Sequence, residues 1–169
     1  MRFATFNASL NRDTAGQLIT DLTTPDNEQA QNIAEIIQQV NPDVLLINEF
    51  DYNADNPEQA INLFRDNYLE VGQNGATPVE YEYVYVAPSN TGVASGFDLD
   101  NNGATVTTVG AEGYGNDALG FGNFPGQFGM VLLSKYPIVE DQVRTFKDFL
   151  WRDMPENLLP DDPATPEPN

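Results

Sequence analysis

Two apolar runs that each end in a polar side chain, with a helical repeat between them, limit this chain to a small set of folds. The first run is Arg2-Phe3-Ala4-Thr5-Phe6-Asn7 and the second is Val44-Leu45-Leu46-Ile47-Asn48-Glu49-Phe50. Each is apolar enough to be a buried strand, Arg2–Ala8 and Asp43–Phe50 respectively. Between them Ile33, Ile36, Ile37 and Val40 recur at the spacing of one helical face. Asp26 or Asn27 caps that helix, Glu28 puts negative charge in its first turn, and Asn41-Pro42 stops it. A strand, helix and strand with joints this short predict a right-handed parallel crossover. The fold class is therefore α/β, and ligands in such sheets bind at the carboxyl ends of the strands. Asn7 and Glu49 stand at those ends.

Along the rest of the chain, Asn11–Pro25 reads as a polar loop. Pro57–Tyr68 reads as a second helix, with Ala60, Leu63 and Phe64 on its apolar side. Glu80–Val86 alternates Tyr81, Tyr83 and Tyr85 with Glu82, Val84 and Val86, as a strand with two distinct faces does. A Gly- and Asn-rich passage, Pro88–Gly126, follows without sustained periodicity, and a loop of that length is usually functional or ligand-ordered. Gln127–Ser134 returns to strand character, and Ile138–Phe146 predicts a further strand or hairpin partner. From Asp153 the chain is acidic and proline-rich, too poor in apolar surface to order itself, so 153–169 is expected to be a truncated linker.

Composition narrows the chemistry. The 169 residues hold 26 acidic and 7 basic side chains, a net charge of −19, with neither histidine nor cysteine. Disulfides, thiolate catalysis, Cys- or His-ligated zinc and a Ser-His-Asp triad are thereby excluded. A metal here must be held by oxygen, which favours magnesium, manganese or calcium. The negative charge disfavours duplex nucleic acid as partner and suits a soluble protein in salty, extracellular or periplasmic surroundings. No leader is visible, and no stretch is long and apolar enough to span a membrane.

Glu49 can coordinate a hard divalent cation, and the Asn7 amide can bind that cation or a phosphate oxygen. Alternatively, each is merely polar where a strand emerges into solvent. In Gly96-Phe97-Asp98-Leu99-Asp100-Asn101-Asn102-Gly103, the residues Asp98, Asp100 and Asn102 match the start of a calcium loop. The glutamate that would complete an EF-hand falls where Val109 stands, which leaves either a looser calcium-stabilised loop or an Asx turn bonding its own backbone. Tyr114, Phe121, Phe124 and Phe128 alternate with glycines; they are expected to anchor the long loop rather than to stack a substrate ring.

The wording around these residues is more specific. Ala4-Thr5-Phe6-Asn7, Asn32-Ile33-Ala34-Glu35-Ile36-Ile37, Pro42-Asp43-Val44-Leu45-Leu46-Ile47-Asn48-Glu49-Phe50 and Gly126-Gln127-Phe128-Gly129-Met130-Val131-Leu132-Leu133-Ser134-Lys135-Tyr136-Pro137-Ile138 follow one another in the order and spacing of a known pattern. Together they resemble the N-terminal half of the endonuclease/exonuclease/phosphatase family. The resemblance implies half of a two-sheet α/β sandwich, a mixed sheet with helices on one face, spanning residues 1–152. It implies a phosphate-ester substrate, with magnesium or manganese held by Glu49 and Asn7, and Arg144 as a looser phosphate contact. The family's later motifs, a catalytic histidine, an Asp-x-Asn pair and a closing Asp-His, have no counterpart here. The chain alone is thus expected to be inactive, and to need the missing half or self-association to cover its sheet. A non-catalytic calcium-stabilised binding or structural module is the alternative.

Overall fold

A computed structural model of the chain describes residues 1–158. They fall into two compact units, divided between Ile138 and Val139. In the first, a four-stranded sheet runs β1 (Phe3–Leu10), β2 (Val44–Phe50), β4 (Met130–Ser134) and β3 (Tyr83–Val86) from edge to edge. β1 and β2 are parallel, joined by α1 (Gln17–Leu22) and α2 (Glu28–Val40), whereas β4 is antiparallel to both of its neighbours. The sheet is mixed and the fold is α/β, as the strand-helix-strand pattern requires.

Cross-strand pairing sorts the side chains into two faces. Ala4, Leu45, Leu133 and Val84 lie in one row, and Phe6, Ile47, Val131 and Val86 in the next. These rows meet Leu18 and Leu22 of α1, Ala30, Ile33 and Ile37 of α2, and Ile61 and Phe64 of α3 (Gln59–Phe64) in one buried core. Phe3, Val44 and Tyr83, then Leu46, Leu132 and Tyr85, occupy the opposite face. All three helices thus serve one face.

α2 begins where the sequence predicts. The Asn27 side chain accepts the Ala30 N–H at 3.0 Å, and Asn41 closes the helix in the left-handed conformation, its N–H bonded to Ile37 O at 2.7 Å. The Tyr68 hydroxyl ties this start to the third helix, accepting the Asn27 N–H and donating to Thr24 O. That third helix is shorter than its periodicity suggests: regular α structure ends at Phe64 and gives way to a π turn, Arg65–Leu69. Buried Gln38 donates to the carbonyls of Leu69 and Val71, adding to the bonds these accept from the Val79 N–H and the Gln73 side chain respectively.

Two expectations need correction. α1 lies inside the segment predicted as a polar loop, because Leu18 and Leu22 stack one turn apart and are both fully buried. Ile138–Phe146 contains no strand; a 3-10 turn at Glu140–Gln142 takes its place, with no buried residue in it. The second unit also has a 3-10 turn at Trp151–Asp153 and an edge-to-face pair of rings, Phe146 and Phe149, 6.0 Å apart. Most of the expected 153–169 linker lies outside the described residues. Among the described residues no helix is long and apolar enough to cross a membrane.

Candidate metal and phosphate site

Strict alternation along β2 would send Glu49 to the helix face behind Leu45 and Ile47, while Asn7 belongs to the opposite face with its pairing partner Asn48. The backbone breaks that rule. Glu49 has φ of 56° and Ser9, on the neighbouring strand, has φ of 49°. Between the pairs Asn7–Asn48 and Leu10–Phe50, β1 also carries one more residue than β2. This bulge resets the alternation, so that Phe50 rather than Glu49 enters the core.

The freed carboxylate turns toward β1. The Ser9 hydroxyl donates to Glu49 Oε2 at 3.3 Å and lies 3.5 Å from Asn7 Oδ1, which also accepts the Ser9 N–H at 3.1 Å. Asn11 Nδ2 donates to the same Glu49 oxygen at 3.3 Å. Asn7 and Glu49 are therefore brought together through Ser9. The donor set is a carboxylate, an amide oxygen and a hydroxyl, without nitrogen or sulfur ligands, which fits a hard divalent cation.

Sequence reasoning missed the residues that surround this pair. Asp51 is 7% exposed and accepts the N–H groups of Arg12 (2.7 Å) and Phe128 (3.2 Å). Burial raises its carboxyl to about 6, against the pull of those two N–H groups and the Arg12 charge. Gln127, 1% exposed, donates to Arg12 O at 2.7 Å and accepts the Asn123 N–H at 2.7 Å. The Arg12 guanidinium bonds Asp21 of α1 at 2.6 Å and holds the Asp21 carboxyl below its ordinary range. Gly126, at φ of 92°, lets the chain before β4 pass against Tyr52; a Cβ there would meet Tyr52 O at 2.5 Å.

The long loop gathers a second group. Carboxylate oxygens of Asp98, Asp100 and Asp117 lie within 4.8 Å of one another. Asp98 accepts the N–H groups of Asn102 and Gly103, and the Asn102 side chain accepts the Ala104 N–H. Asp117, distant in sequence and unforeseen, is held below the usual carboxylate range by the N–H groups of Val106 and Leu99. Tyr114 and Phe124 anchor the loop as buried side chains, whereas Phe121 is 59% exposed beside Phe128. Arg144 lies in the second unit as an exposed side chain.

Residues 4–169 match the family model described as Endonuclease/Exonuclease/phosphatase family. The chain belongs to the endonuclease/exonuclease/phosphatase family. No curated protein and no solved structure matches it. Endonuclease/exonuclease/phosphatase domains are generally metal-dependent and act on phosphoesters, so the chain carries a phosphoesterase or nuclease kind of domain.

Proposed function

We propose that Glu49 and Asn7 hold a magnesium or manganese ion as one part of a phosphoester-cleaving centre. The observation carrying this is the Ser9 hydroxyl set between Glu49 Oε2 and Asn7 Oδ1, which draws both oxygens to one point of the sheet end. When bound, such an ion would neutralise charge developing on the phosphate. Ser9 and Asn11 orient the Glu49 carboxylate, and Asn7 offers its amide to the cation or to a phosphate oxygen. Arg144 remains a candidate phosphate contact from the family pattern alone.

These residues supply no imidazole, since the sequence contains no histidine. Residues 1–152 thus serve as the N-terminal half of a two-sheet domain and are inactive alone. The apolar face opposite the helices, with Phe3 70% and Met130 48% exposed, is where a second sheet would pack. The test is hydrolysis of p-nitrophenyl phosphate and its diester with magnesium or manganese. Background rates are expected, and turnover abolished by Glu49→Ala would refute the inactive half.

A second function is favoured by the convergence of Asp98, Asp100 and Asp117: a calcium-stabilised loop, compatible with either a catalytic or a purely binding role. Calcium should then raise the unfolding temperature of the wild-type chain and leave that of Asp117→Asn unchanged.

A further inference from the structure

Buried polar side chains keep their hydrogen bonds, and a segment bonded at every backbone group has little freedom to relocate. Arg12 is such a point. Its N–H is held by Asp51 Oδ2 at 2.7 Å and its C=O by Gln127 Nε2 at 2.7 Å. One residue earlier but one, Leu10 O accepts the Asp51 N–H at 3.1 Å. Asn11 sits between these two fixed residues and directs its side chain to Glu49 Oε2. The grip comes from two different strands, from the exit of β2 at Asp51 and the entry to β4 at Gln127.

We propose that Asp51 and Gln127 are positioning residues, which pin the backbone of Arg12 so that Asn11 and Ser9 present Glu49 to a divalent cation. The proposal depends on Glu49 being a cation ligand, as inferred above. The hydrogen bonds of both side chains go to backbone rather than to Glu49; both act through the loop they hold. Their other bonds serve the same end. Phe128 N–H meets the second Asp51 oxygen and Asn123 N–H meets the Gln127 oxygen, so neither side chain can rotate away without leaving a buried group unpaired. Partners of this outer kind change metal affinity by roughly 10- to 100-fold when removed.

The experiment is calorimetric titration of the full chain with Mn²⁺ alone, at a temperature where unfolding curves show every variant fully folded. Glu49→Gln isolates this site from any cation bound by the Asp98 loop. Asp51→Asn and Gln127→Leu should each bind about 10-fold more weakly than wild type. Gln127→Leu changes no charge, so its loss reports position rather than electrostatics. Asn67→Ala removes a comparable pair of side-chain bonds to backbone, at Leu22 O and Thr23 O, remote from the site; it should lower stability and leave affinity unchanged. Wild-type affinity in Gln127→Leu, alongside a loss in Glu49→Gln, would overturn the positioning role and spare the Glu49 site. Wild-type affinity in Glu49→Gln itself would remove the site and the positioning role with it.

Discussion

Left-handed backbone costs a non-glycine residue roughly 1–2 kcal/mol, yet Ser9, Glu49 and Phe128 all adopt it at one end of the sheet. Strain of this kind persists where surrounding bonds over-determine it and clusters where side chains must be aimed. Ser9→Gly should therefore raise the free energy of unfolding by about 0.5–1 kcal/mol in urea, while weakening Mn²⁺ binding through loss of the hydroxyl. Asp21 offers a second check. Its bond to Arg12 lowers its pKa in the folded chain, so the stability it contributes is fully present above the unfolded carboxylate value of about 3.9 and drains away below it. Between about pH 6 and pH 3, the urea midpoint of wild type should fall further than that of Asp21→Asn. Asn7 and Glu49 were legible as neighbouring strand ends whose side chains should converge, but the backbone that brings them together was not. It depends on left-handed turns at Ser and Glu, residues that carry no sequence signal for them, and simple alternation points Glu49 the wrong way. Asp51 and Gln127 read as ordinary polar residues at strand ends, because only the fold brings Arg12 to them.

Among the elements, α2 was the most readable, since its cap and its Asn41-Pro42 stop agree, although of its apolar repeat Ile33 and Ile37 are buried while Ile36 and Val40 stay exposed. Asn27→Ala should cost about 1 kcal/mol, read as a lower unfolding temperature without any change in the cation site. α1 escaped notice because it is only six residues long, starts at Gly16 without a side-chain cap, and signals itself through Leu18 and Leu22 alone. The chain after Ile138 failed in the opposite sense. Its Val and Phe residues have strand propensity, but Val143, Phe146 and Phe149 stay exposed, and β propensity largely measures packing against neighbouring strands. The carboxylates of the long loop were half-readable. Asp98 and Asp100 share a local pattern, whereas Asp117 joins them only through the loop's return past Val106 and Leu99.

For the whole molecule, the apolar face opposite the helices competes with a net charge of −19. Phe3, Leu46, Met130 and Leu132 favour association of copies, while like charge opposes it over about 10 Å at ~0.1 M salt. Sedimentation should show association that strengthens with added sodium chloride and weakens in Met130→Glu. The pinned Arg12 also bears on how the molecule breathes. Backbone amides exchange with solvent deuterium only when their bonds open, and loops normally open first. The amides of Arg12 and Phe128, both closed by one buried carboxylate, should exchange far more slowly than those of Thr107 or Gly110 in the long loop. They should become as slow as the interior of β2, so that an irregular corner of the chain keeps time with the core.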